Sequence, residues 1–179
     1  MAETPVDARA GDALREAGQR VAVAESLTGG LVGSRLTDVP GSSDYFDRAV
    51  VAYSNDAKLE ELAVSRESLD EHGAVSAAVA REMAQGVRDT AGTTWGLSTT
   101  GIAGPTGGTA EKPVGLVFVG VAYAAPWGSD ESFTRAERYV FDGDRDAVKT
   151  ESATTALVDL RTAVERAEPT GEGDSISSS

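Results

Sequence analysis

The chain contains no cysteine, which removes disulfides, thiolate nucleophiles and thiolate metal ligands from consideration. It contains one histidine, His72, so a multi-histidine metal centre is excluded. Lysine is nearly as scarce: Lys58, Lys112 and Lys149 are the only three, and every other basic residue is arginine. Aromatic residues make up 6% of the sequence, so the core has to be built from alanine, valine and leucine. No apolar run reaches the length that crosses a bilayer, and Met1–Asp7 lacks the basic and apolar regions of a signal peptide. A cytoplasmic protein without a membrane partner is the expectation.

Positive charge is in deficit as well. The chain has 29 acidic residues against 16 basic ones, for a net charge of −13. No basic stripe is available to neutralise phosphates, which argues against a nucleic-acid partner. Dense carboxylates with little lysine fit a halophilic protein, whose hydrated acidic surface is screened by salt. A length of 179 residues suits one domain with a substantial core. That domain is expected over residues 1–167, with the Gly-, Asp- and Ser-containing stretch 168–179 as a disordered tail.

The most informative segment present is Val21–Gly30. An apolar run of strand type stops at Glu25-Ser26, two glycines follow at Gly29-Gly30, and a helical pattern begins with Leu31, Val32 and Leu36. This order places a serine hydroxyl on a tight strand-to-helix turn, with the new helix's N–H groups expected to face whatever lies in front. Ser26 is thus a nucleophile, a phosphate ligand or an N-cap. Periodicity and turn residues predict further helices over 6–18, from Ser54 to about Ala63, over 77–90 and over 144–167, besides the one over 29–38. Strands are predicted over 20–24, 45–53, 95–100, 114–124 and 133–141. Strands separated by helices indicate an α/β fold: a layered α/β/α domain with a mixed sheet, in which parallel strands are joined by a C-terminal antiparallel hairpin across Pro126-Trp127-Gly128. If the first three strands are parallel, Glu25–Gly30, Ser54–Lys58 and Gly101–Lys112 converge on one sheet edge, where ligands gather in such folds.

A serine nucleophile needs a base. His72 lies in the helix-ending turn Glu71–Ala74 and reads as a surface or capping residue. Lys58 sits in the first turn of the helix capped by Ser54, where the helix dipole and burial both favour the neutral amine; a solvated surface lysine is the plain alternative. Tyr53 ends a strand nearby and reads equally as a site residue or a core-edge aromatic. Thr99 and Thr100 offer hydroxyls beside the loop Gly101–Pro113, or are simply β-branched strand residues. That loop lacks the Gly-Lys-Ser/Thr ending of a nucleotide-triphosphate motif, but its glycines permit close backbone approach to an oxyanion or phosphate. Arg145, opening the last helix, is a phosphate ligand or a partner of Asp144 and Asp146.

Six segments in order then carry a resemblance: Ala24–Gly30, Val39–Ser43, Val51–Lys58, Glu71–Ser76, Thr100–Pro105 and Glu111–Gly115. Over about residues 7–166 the chain resembles the CinA C-terminal domain family, whose stand-alone members include nicotinamide mononucleotide deamidases. Leu27 stands where many relatives carry cysteine. The resemblance implies an amidohydrolase that converts nicotinamide mononucleotide to nicotinic acid mononucleotide and ammonia in pyridine nucleotide salvage. It implies a Ser–Lys arrangement at Ser26 and Lys58, with Tyr53 and Thr100 in support, and a reaction that requires no metal or other cofactor. Thr28, Gly29, Gly30 and Gly101 would serve as backbone or hydroxyl donors, and Gly104, Gly107 and Arg145 as contacts for the ribose phosphate. Self-association to a dimer or higher assembly is also implied. The alternative is a non-catalytic nucleotide-binding or regulatory module, in keeping with the family's association with competence and DNA damage.

Overall fold

A computed structural model of the chain describes residues 3–167; the predicted tail, 168–179, lies outside them. The elements follow in the order α1 (Val6–Ala17), β1 (Val21–Glu25), α2 (Leu31–Thr37), a short 3-10 turn (Ser42–Asp44), β2 (Phe46–Val51), α3 (Asn55–Leu62), α4 (Arg66–His72), α5 (Ala77–Ala91), β3 (Trp95–Gly101), β4 (Leu116–Tyr123), β5 (Phe133–Val140) and α6 (Arg145–Ala167). The five strands form one sheet in the order β2-β1-β3-β4-β5. β1 runs parallel to both neighbours, whereas β3–β4 and β4–β5 are antiparallel, which is the mixed α/β sheet expected.

β1 lies inside the sheet between β2 and β3 and is buried along its whole length, as the uninterrupted Val-Ala-Val-Ala run requires. Its alternation divides the core in two. Val21 and Val23 face a layer of α1, α2 and α6, where Leu14, Leu36, Leu157 and Leu160 pack. Ala22 and Ala24 face α3, α4 and α5, through Leu62, Leu69, Val79 and Met83. Side chains on a strand alternate between faces, so five residues suffice to anchor both helical layers.

Two local differences from the predicted elements have simple causes. α2 begins at Leu31 rather than 29, because Gly29 and Gly30 adopt φ of 59° and 101°, outside the helical region. α4 is foreshadowed only by its terminating turn: its seven residues hold one buried apolar side chain, Leu69, too few to show a period. The convergence at the sheet edge holds, since Glu25 pairs with Val51 on one side and Thr99 on the other. The carboxyl ends of β1, β2 and β3 therefore lie together. Among the described residues no helix is long and apolar enough to cross a membrane.

α3 and α5 pack so closely that a side chain at Gly86 has no room: a Cβ there would lie 1.8 Å from the carbonyl oxygen of Leu62. Alanine is favoured over glycine by about 1 kcal/mol inside a helix, but overpacking of this kind costs more. Gly86→Ala is expected to destabilise the fold by a net ~1–3 kcal/mol, read as a lower urea midpoint. A raised midpoint would contradict this packing.

Candidate active site

The turn after β1 is built on a buried carboxylate. Glu25 is 0% exposed. Its Oε1 accepts from the Thr28 hydroxyl at 2.7 Å, the Gly30 N–H at 3.2 Å and the Val32 N–H at 2.9 Å; its Oε2 accepts from the Gly33 N–H at 3.0 Å. Leu31 N–H donates to Thr28 O and Gly29 N–H to Ser26 O. Glu25 thus takes the place of an N-cap side chain, which Gly30 cannot supply. The start of α2 is accordingly closed, in contrast to the open helix terminus expected from the sequence. Of the backbone N–H groups from Ser26 to Gly33, only those of Leu27 and Thr28 lack an acceptor among the described residues. Thr28 also shares a 2.7 Å hydrogen bond with Thr99, and the Ser26 N–H donates to Thr99 O, so β3 fixes the same turn from the side.

Ser26 emerges from this turn, 9% exposed, with Lys58 Nζ 3.1 Å from its Oγ. The chain reaches that geometry through α3. Ser54 caps the helix by accepting from the Ala57 N–H, and Lys58 lies one turn in. Helical side chains slant toward the N-terminus, so the lysine runs back past the start of its own helix to the end of β1. It is 1% exposed. Its Nζ has two other partners, Ala52 O at 2.8 Å and Tyr53 O at 3.2 Å, and none of the three is a carboxylate. Burial pushes its pKa below that of an ordinary lysine.

A cavity of about 200 Å³ opens in front of this pair, and Tyr53, Ala74, Thr100, Gly101, Ala103 and Arg145 also line it. Tyr53 stands at the mouth, 62% exposed, and its hydroxyl accepts from an Arg145 NH group at 3.2 Å. The other NH group of Arg145 donates to Gly104 O at 2.7 Å, so this arginine ties α6 to two loops rather than pairing with Asp144 or Asp146. Thr100 donates to Ala74 O at 2.7 Å and holds the α4–α5 connection against the cavity. Gly101 has no space for a Cβ, which would lie 2.6 Å from Leu116 O. Gly107 is exposed and lies outside the cavity lining, and Gly29 and Gly30 sit at the turn beside it. His72 lies outside the cavity lining: its carbonyl accepts from Lys112 Nζ and its ring Nε2 lies 3.8 Å from Glu71. No group of three or more His, Asp or Glu is placed to hold a metal among the described residues.

The sequence reading assigned no part to Glu25, the Leu27 N–H or the Ala52 and Tyr53 carbonyls. A charged residue ending an otherwise apolar interior strand is the one available signal for Glu25; backbone donors and acceptors leave no trace in residue identity.

The model of the CinA C-terminal domain family matches residues 3–164. A CinA-like protein of Salinibacter ruber is 52% identical over 159 residues, which is 89% of this chain and 37% of that protein. The chain spans about a third of the length of the curated relatives it matches. Among solved structures, competence damage-inducible protein A (ComA) from Klebsiella pneumoniae superposes with a TM-score of 0.84 at 31% identity, covering 91% of this chain and 97% of that one. The competence/damage inducible protein CihA from Agrobacterium tumefaciens gives 0.81 at 35% identity, covering 92% and 99%.

Glu25→Gln replaces an acceptor-only group by one whose amide N–H₂ would face backbone donors. A loss of about 2–4 kcal/mol in unfolding free energy is expected, from one or two charge-assisted hydrogen bonds removed in a buried site. Denaturant titration checks it, and a change within experimental error would refute the role of Glu25.

Proposed function

The chain belongs to the CinA C-terminal domain family, and we propose that it is an amidohydrolase releasing ammonia from nicotinamide mononucleotide, with Ser26 as nucleophile and Lys58 as general base. The observation that carries this reading is the buried 3.1 Å contact between Lys58 Nζ and Ser26 Oγ. A neutral amine has two N–H donors and one lone pair. Two carbonyls, Ala52 O and Tyr53 O, take the donors, and the lone pair is left for the Ser26 hydroxyl proton. A permanently charged lysine would be an inert neighbour; burial without a carboxylate partner works against that form. The choice of nicotinamide mononucleotide rests on the resemblance of the six motifs to the deamidases of the family.

As Ser26 Oγ attacks the carboxamide carbon, its proton passes to Lys58 and the C–O bond forms. The oxyanion turns toward the Leu27 and Thr28 N–H groups, the two in this turn that neither Glu25 nor a backbone carbonyl engages. Protonated Lys58 then delivers its proton to the departing nitrogen, the C–N bond breaks and ammonia leaves. Water, deprotonated by the same amine, hydrolyses the acyl-enzyme and regenerates the serine.

Ser26→Ala and Lys58→Ala are each expected to lower kcat by at least about 10³-fold, measured as ammonia release from nicotinamide mononucleotide in high salt. Full activity in Ser26→Ala would remove the nucleophile, and an inactive wild type would remove the deamidase reading. Lys58→Arg should not rescue, because guanidinium remains protonated.

The pH dependence has a defined sign. The base works when unprotonated, so kcat/KM should rise with pH through the Lys58 pKa, at a pH below the ~10.4 of free lysine. A rate that falls over that limb would contradict the assignment.

A further inference from the structure

Two of the three lysines are accounted for: Lys58 faces Ser26, and Lys112 donates to the His72 carbonyl. The third, Lys149, lies at the same edge of the sheet. It follows Arg145 by four residues on α6, and so shares its helix face. Arg145 is engaged by Gly104 O and the Tyr53 hydroxyl, whereas Lys149 has no hydrogen-bond acceptor or carboxylate partner among the described residues. Its Nζ lies 3.7 Å from where a side chain on Gly29 would begin. Gly29 is exposed, and its φ of 59° disfavours any residue with a Cβ, so the space beside the ammonium stays open. Its N–H donates to Ser26 O at 3.1 Å, which sets this opening one turn from the nucleophile.

We propose that Lys149, over the open backbone at Gly29, forms a phosphate-monoester subsite beside the turn that carries Ser26. In a chain of net charge −13, an anionic substrate needs local positive charge to approach at all. Lysine supplies a point charge to a phosphate that carries ≈ −1.5 to −2 at neutral pH. The proposal deepens the deamidase reading and rests on it for the substrate: amide carbon at Ser26, phosphate at Lys149. Arg145 then acts as a brace for Tyr53 and the glycine loop rather than as the phosphate ligand.

The test uses ribose 5-phosphate, which carries the phosphate but no amide, with ribose as control, and the full chain with and without Lys149→Gln. Calorimetry should show ribose 5-phosphate bound by wild type and weakened about 10- to 100-fold in the variant. The preference for nicotinamide mononucleotide over nicotinamide riboside in kcat/KM should fall by a similar factor, and Lys149→Arg should recover part of it. Equal binding of ribose 5-phosphate by variant and wild type overturns the subsite, as does a wild type that binds it no better than ribose. If ribose 5-phosphate binds as expected but no ammonia is released by wild type, the deamidase reading fails while the subsite stands.

Discussion

Glu25 lies wholly out of solvent, yet its two oxygens accept from one hydroxyl and three backbone N–H groups, joining the last residue of β1 to the first turn of α2. A buried carboxylate is tolerated only when its hydrogen bonds replace water this completely. The constraint shapes everything nearby. It draws the helix start onto the strand end, forces the chain between them through a tight turn, and leaves the serine at the outer corner of that turn. It also decides which amides remain available in front of the serine, because every N–H it engages is withdrawn from any substrate.

The base reaches the site through an equally local device. α3 starts immediately after β2, and a lysine one turn inside it leans back over the helix start. Nothing long-range has to aim the side chain; strand pairing between β1 and β2 and the direction of Cβ in a helix are enough. The same arrangement explains why the amine is dry. Its partners are two backbone carbonyls and a serine hydroxyl, none of which offers a negative charge.

The layered sheet and the meeting of three segments at its edge were legible in the sequence because they depend on periodicity and on strand-helix alternation, which residue types encode directly. The Val21–Glu25 run and the Ser54 cap are examples. The proximity of Ser26 and Lys58 followed from topology. What was hidden depends on atoms that every residue shares or on distances across the fold. The closed start of α2 belongs to a carboxylate five to eight residues upstream of the amides it binds, and the partners of Arg145 come from positions 41 and 92 residues away. A flanking Asp144 and Asp146 suggested ion pairs, but the guanidinium donates to two neutral acceptors instead. α4 was too short for its pattern to register.

β1 is an interior strand, and its two partners come from different distances along the chain: β2 some twenty residues later and β3 some seventy. Thr99 on β3 holds both Ser26 and Thr28, so the turn bearing the serine is complete only after the more distant strand has docked. Closing that larger loop costs more chain entropy than pairing β1 with β2, and the burial of β3 has to offset it. The turn that presents the hydroxyl is therefore held by a strand that the helix carrying the amine does not need. A half-folded chain holds the residues of the site without holding the site.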